Sequence, residues 1–286
     1  MNDARHSRTL TTLLLAPAGV FFVFLLFLPL VVMLVYSFGA RAPEGGYQAA
    51  FTFDNYLNLP ARSKAFTNTL LLAPLATLLT VLFAYPMAYF LAVKVSPRWR
   101  IAMLVLVVAP FWTSQLLRYY AWMIILGSKG IPAWLDWIGI NDVRLLNTPY
   151  AVLIGAVYGF LPLMVPPIFV SLEKLDKRLL EASADLGSKP WQSFLQITLP
   201  LSMPGVATGS MLVFILLMGD YILPQFLGGG KVYFIGNALV DLFLQSRNWP
   251  FGAAVSIALV AIMFVTMYFY MRFVLGKTDQ RRVAMV

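Results

Sequence analysis

Cysteine is absent from all 286 residues. That excludes disulfide frameworks, thiolate metal sites and a cysteine nucleophile. Histidine occurs once, as His6, in a polar stretch with Asp3, Arg5 and Arg8. It reads as a solvated side chain, so neither histidine catalysis nor a metal site is expected. Charge is scarce as well: Asp, Glu, Lys and Arg make up 12% of the chain, against about 25% in a soluble domain. An ordinary soluble enzyme and a disordered chain are both excluded. A phosphate cradle of the form G-x-x-x-x-G-K-[ST] is missing. Gly276-Lys277-Thr278 has Met271 where the first glycine belongs, and Gly228-Gly229-Gly230-Lys231 is followed by Val232. There is no HExxH, no GxSxG, no repeated arginine of a voltage sensor and no TVGYG-like filter. The chain is expected to be non-catalytic, so any motor must come from another subunit.

What the chain has is apolar length. Hydrophobic residues make up 60%, and uncharged runs cover 65–93, 145–172 and 248–271. A membrane-spanning helix needs about 20 such residues, whereas barrel strands would be about 10 long and alternating. The expected fold class is therefore all-α, a polytopic membrane protein with six transmembrane helices. They fall at about 11–36, 66–93, 100–126, 148–171, 202–223 and 251–274, in a single domain over 1–286. The run from Leu10 to Gly39 exceeds a signal-peptide core of about 7–15 residues, so the first helix reads as retained. The net charge of +9 sits beside these spans. It reads as a topology determinant in contact with lipid and not as a nucleic-acid surface. With the N-terminus inside, 13 basic residues fall inside and 8 outside, which favours both termini in the cytoplasm. The segments 38–65, 127–147 and 224–250, rich in Gly, Pro, Asn and aromatics, then read as long irregular outer loops suited to docking a partner.

The inner loop over 172–200 carries the most specific pattern. Leu172, Leu175, Leu179, Leu180, Ala184 and Leu186 recur at helical spacing among charged residues. Gly187 suits a helix end and Pro190 the first turn of another helix. The product is an amphipathic knob of two short helices at a sharp angle. Its fixed positions are Glu181-Ala182-Ser183, Gly187, Ile197, Leu199 and Pro200. This spacing resembles the E-A-A…G…I-x-L-P loop of binding-protein-dependent ABC importer permeases, with Ser183 in place of the second alanine. Stretches such as Pro110-Phe111-Trp112-Thr113-Ser114, Leu117-Arg118-Tyr119-Tyr120-Ala121-Trp122 and Met218-Gly219-Asp220-Tyr221 extend the likeness to the spermidine/putrescine permease family.

The resemblance implies a type I importer (MetI-like) permease fold in a bacterial inner membrane. It implies a second homologous permease, an ATPase dimer that binds ATP and magnesium, and a periplasmic or extracellular solute-binding protein. No cofactor is expected in this chain. It further implies import of polyamines, with the 172–200 loop as the coupling element to the ATPase. Import of another small solute (an amino acid, opine, phosphonate or ferric ion) and an ion-coupled secondary transporter are the alternatives.

A path for polycations calls for anionic and aromatic groups. Asp220 closes an uncharged stretch over 190–219 and leads the candidates, with Tyr221, Trp112, Tyr119, Tyr120 and Trp122 beside it. The competing reading pairs Asp220 with Arg118 in a salt bridge and gives the aromatics to packing. Gly155-x-x-x-Gly159 and Gly205-x-x-x-Gly209 permit close helix approach, compatible with a permease–permease contact.

Overall fold

The computed structural model describes the backbone of residues 2–283 and the side chains of 15–176 and 178–272. The side chains of His6, of the triplet Gly276-Lys277-Thr278 and of the terminal basic residues Arg5, Arg8, Arg281 and Arg282 lie outside those described.

Helix α1 (Asn2–Ser37) precedes a two-residue hairpin in which β1 (Ala40–Arg41) pairs antiparallel with β2 (Tyr47–Gln48); α2 (Asp54–Leu57) follows. Helix α3 (Ser63–Tyr89) continues through a π-helical turn at Phe90–Lys94. Helix α4 (Pro97–Val108) ends in a tight turn at Ala109–Trp112, and α5 (Gln115–Leu126) leads to α6 (Ile131–Trp137). After α7 (Pro149–Glu173) come α8 (Lys177–Asp185) and α9 (Pro190–Ser193), a second π turn at Phe194–Thr198 and α10 (Leu199–Gly219). The chain finishes with α11 (Ile222–Gly228), α12 (Ile235–Val240), a third π turn at Asp241–Gln245, and α13 (Trp249–Val283).

Among the described residues, five helical spans are long and apolar enough to cross a membrane. A sixth is a bent pair, Pro97–Trp112 and Gln115–Trp137, related by 86°. The span expected as one helix over 100–126 is thus broken. Pro110 cannot donate to the ladder, and Thr113 and Ser114 leave helical geometry to begin α5. The outer segment 224–250 also differs from a plain loop. It folds into most of α11, α12 and a π turn, with Leu227, Phe234 and Ile235 fully buried. Likewise 127–147 contains α6.

The chain divides into two compact units, Met1–Ala61 with Leu239–Val260 and Arg62–Ala238 with Ala261–Val286. In the first, a cluster of Phe38, Phe51, Phe53 and Tyr56 rings packs behind the hairpin. Arg41 donates to the Ser246 carbonyl at 2.7 Å, and the Gly46 N–H donates to the Arg247 carbonyl at 2.7 Å.

The second unit is organised around α7, which packs on α3 and α10. Its logic is that of helices in lipid, where association comes from close packing and not from hiding apolar surface. Along α3 the buried residues Ala65, Thr69, Ala73, Ala76, Thr80, Ala84 and Ala88 form one stripe of small side chains at helical spacing. Thr69, Thr77 and Thr80 donate to carbonyls four residues back, so their hydroxyls are satisfied without a second helix. On α10, a Cβ at Gly205 would strike the Pro167 carbonyl of α7, and one at Gly209 would sit 2.7 Å from Met164 Sδ. Gly155 of α7 faces Leu227 and Leu223, and Gly159 faces the Tyr119 hydroxyl. Both glycine pairs are therefore used inside this chain. The spacing signals close approach, and the helices it brings together here are the chain's own.

Candidate functional site

The elbow between α7 and α10 is built from local signals. Asp176 Oδ1 accepts from the Arg178 N–H at 3.0 Å and caps α8. At the other end Gly187 has φ +81°, its N–H donates to the Ala184 carbonyl, and the Ser188 N–H donates to the Ser183 carbonyl. That paired closure needs a left-handed residue after the helix, which glycine adopts without Cβ strain. Pro190 then opens α9, and Gln192 Oε1 accepts from the Lys189 N–H at 2.7 Å.

The two arms differ in how they join the bundle. Helix α8 is separated from α7 by a turn at 174–176, whereas α9 runs through the π turn into α10 as one span, Pro190–Gly219. The second arm is thus the start of a spanning helix and not a free short helix. Ile197 lies in the π turn, and Leu199 and Pro200 form the first turn of α10.

The expected family positions sit on both sides of the elbow. Glu181 and Ala182 are exposed, while Ser183 is buried and hydrogen-bonds hydroxyl to hydroxyl with Ser193 at 2.8 Å. The bond ties α8 to the end of α9, which an alanine at position 183 could not do. The elbow also displays large apolar side chains: Leu186 is 87% exposed and Trp191 61%. Leu179 and Leu195 are exposed as well. At the elbow's base Arg100 lies 4.0 Å from Glu173.

A second polar feature lies at the opposite end of α10. The helix stops at Gly219, and Asp220 takes extended geometry. Its Oδ1 accepts from the N–H groups of Ile222 and Leu223 at 2.9 and 3.2 Å, capping α11. Buried Asn237 anchors the returning chain: its Nδ2 donates to the Tyr221 carbonyl at 2.8 Å, and its Oδ1 accepts from the Phe234 N–H at 3.1 Å. The Ile235 N–H donates to Thr69 Oγ1 of α3 at 2.9 Å. Gly236 lies against the backbone carbonyls of Gly219 and Asp220, where a Cβ would come within 2.7 Å of either oxygen.

The salt bridge weighed for Asp220 is not formed. Asp220 Oδ2 and the Nε and Nη1 of Arg118 are each buried without a hydrogen-bond partner, and the Arg118 guanidinium stands 5.9 Å from the centre of the Phe111 ring. Similar depth in the membrane did not fix the direction in which each side chain points. The aromatic candidates diverge too, because successive helix positions point about 100° apart. Tyr119 is fully buried and accepts from Gln115 Nε2 at 2.7 Å. Tyr120 meets Phe226 edge-on, while Trp122 meets Tyr158 and lines an apolar groove of about 470 Å³. Trp112 and Tyr221 are exposed.

Sequence reasoning missed Tyr85, Tyr89, Phe194, Ser193, Ser202 and Asn237. All but Asn237 lie in or beside spanning helices, where neighbouring apolar residues hide any pattern. Asn237 alone offered a signal, as a lone amide between Gly236 and Ala238.

The fold and sequence both have relatives. The pattern of the binding-protein-dependent transport system inner membrane component family matches residues 63–278. The spermidine/putrescine transport system permease protein PotB of Haemophilus influenzae is 42% identical over 255 residues, covering 87% of this chain and 89% of that protein. PotB of Escherichia coli is 41% identical, covering 87% and 92%. The inner membrane ABC transporter permease protein YdcU of Escherichia coli is 32% identical over 78% and 79%. Among solved structures, a bacterial alginate ABC transporter in complex with an alginate pentasaccharide-bound periplasmic protein superposes with a TM-score of 0.75. The match covers 95% of this chain and 96% of that one at 20% identity, and supports the fold alone. With three quarters of its length matched, the chain belongs to the binding-protein-dependent inner membrane transport components: it is a multi-pass, non-catalytic permease subunit of an ABC importer.

Proposed function

We propose that this permease moves polyamines of the spermidine/putrescine type into the cytoplasm. The solute would be delivered by a solute-binding protein, and transport powered by an ATPase dimer docked on the elbow. A homologous second permease completes the pathway, and both termini face the cytoplasm. ATP and magnesium belong to the ATPase subunits. The observation that carries the coupling assignment is the elbow itself. Glu181, Ala182, Leu186 and Trp191 stand exposed on a hydrogen-bonded bend whose second arm is continuous with α10. An exposed apolar tip beside a carboxylate suits insertion into a groove of a partner protein. The relatives' names support the polyamine reading.

In mechanical terms, closure of the ATPase dimer on ATP moves the docked elbow, and α10 carries that movement into the bundle. This is a two-state element biased by a ligand held on another chain. At the far end of α10, Asp220 offers a carboxylate oxygen with no partner in this conformation. A polycation passing nearby would supply the missing donors. Of the aromatic candidates, Tyr221 and Trp112 are exposed and best placed to meet it, while Tyr119, Tyr120 and Trp122 would act only if the helices around them rearrange.

The test is co-purification followed by uptake. A stable complex with a nucleotide-binding subunit, and radiolabelled spermidine uptake that putrescine competes for, support the reading. Uptake driven without any ATPase overturns the coupling assignment. Competition by an amino acid, opine, phosphonate or ferric ion, with none by polyamines, overturns the substrate.

A further inference from the structure

The elbow's second arm meets α3 at Phe194. Its ring stands edge-on to Tyr85, with centroids 5.7 Å apart and planes at 87°, and edge-on to Tyr89 at 5.9 Å and 85°. Tyr85 and Tyr89 are one turn apart on α3 and so lie on the same face. Phe194 is therefore gripped between two rings of one helix. Immediately beyond it, the Tyr85 hydroxyl is hydrogen-bonded to Ser202 Oγ of α10 at 2.8 Å, and Ser202 also donates to the Leu199 carbonyl at 3.0 Å. Tyr85 and Ser202 are buried. The contact thus combines two edge-on ring pairs with a buried hydroxyl bond. Such pairs have a preferred geometry and resist sliding more than aliphatic contact does.

Two further observations set this contact apart from ordinary packing. The π turn of α3 starts at Phe90, directly after Tyr89, and the π turn before α10 starts at Phe194 itself. π turns are rare and are found preferentially where function fixes a side chain; here two of them flank one contact. In addition, Phe194 directly follows Ser193, whose hydroxyl is bonded to Ser183 of α8. The chain of contacts therefore runs without a gap from α8, through Ser183–Ser193, to Phe194 and on to Tyr85 and Tyr89 of α3.

We propose that Phe194 is a positioning residue, the pin that fastens the coupling elbow to α3, so that elbow movement reaches α3 directly as well as along α10. This rests on the coupling role assigned to the elbow. The pin would let one docking event turn two spanning helices together. Without it, the elbow would still dock but would drive α10 alone.

The test uses the full importer, with its ATPase and solute-binding protein, reconstituted in liposomes. ATP hydrolysis stimulated by the binding protein and radiolabelled spermidine uptake are read side by side. Phe194→Ala is expected to keep the ATPase subunit bound and hydrolysing while uptake per ATP falls about tenfold, the range of a typical coupling energy. Phe194→Tyr, which keeps the ring, is expected to restore the ratio. Should Phe194→Ala assemble poorly, the absence of native cysteine allows a direct alternative. Tyr89→Cys with Phe194→Cys, joined by a short thiol cross-linker, is expected to recover the uptake that the unlinked pair loses.

Wild-type uptake per ATP in Phe194→Ala, or uptake abolished by the cross-link, overturns the pin. Failure of the coupling reading looks different: the wild-type permease would then bind no ATPase, or would transport without one.

Discussion

The two ends of α10 are made of opposite materials. At the elbow end the helix continues unbroken through Phe194–Thr198 into α9, and its contacts are rings and hydroxyls shared with α8 and α3. At the other end it stops at Gly219, and a carboxylate, an amide and backbone carbonyls take over. At the first end the hydroxyls of Ser183, Ser193, Ser202 and Tyr85 are paired. The second leaves a buried carboxylate oxygen unpaired, which costs free energy in any low-dielectric setting. A paired end suits receiving a mechanical input, and an under-satisfied end suits meeting a passing solute. The comparison separates coupling defects from translocation defects by position along one helix.

The largest effect is expected at the bend. Position 187 has φ +81° and open space around it, so conformation alone decides what it tolerates. A β-branched residue there carries strain of about 1–3 kcal/mol. Gly187→Val should abolish uptake and stimulated ATP hydrolysis together while the protein remains in the membrane, and Gly187→Asn, which tolerates this geometry, should keep both. Glu181→Lys should resemble Gly187→Val. If stimulated hydrolysis and transport both survive these changes, the elbow is not the coupling element.

Next comes Asp220→Asn. Asparagine caps helices about as well as aspartate, so the bonds to Ile222 and Leu223 should persist while the charge is lost. Uptake should fall with assembly and docking intact. Asp220→Ala should in addition lose about 1 kcal/mol of stability with the cap, read as a lower melting temperature in detergent. Equal losses of stability in both variants would make the residue structural and erase the contrast between the two ends.

Gly205→Val tests the shaft between them. A side chain there strikes the Pro167 carbonyl and Ser171, and overpacking of this kind costs about 1–3 kcal/mol. The melting temperature should drop, and any loss of uptake should follow the loss of folded protein. The smallest effect is expected from Ser183→Ala. Removing the bond to Ser193 costs about 0.5–1.5 kcal/mol, so melting should shift slightly and uptake should persist.

Legibility in the sequence followed how local each signal was. The elbow could be read because its bend and entry proline act within a few residues: Gly187 and Pro190 each specify their own geometry, while the equally local cap at Asp176 was not read. Asp220 stood out as a charge at the end of a long apolar run, and it does end α10 there. Its suggested partner Arg118 failed because depth along an axis carries no information on azimuth. The break at Thr113–Ser114 stands just after Pro110, which marks a bend, but the stretch over 101–117 carries no charge and so reads as one span; the burial of 222–238 was masked by the glycines at 228–230. The two small-residue motifs marked close approach but could not name the partner, because the same spacing serves contacts within a chain and between chains. The Tyr85–Phe194–Tyr89 contact joins positions more than one hundred residues apart among many other aromatics, where no spacing rule applies.

Finally, the glycines that seat α10 on α7 have a kinematic consequence. At Gly205 and Gly209 the approach is so close that even one added carbon would meet Pro167, Ser171 or Met164. Axial slippage would drive the side chains on either side of each glycine into that gap, so the two helices are geared to one another. Movement of the pair as one body keeps the joint intact, so alternate opening is expected at boundaries outside it.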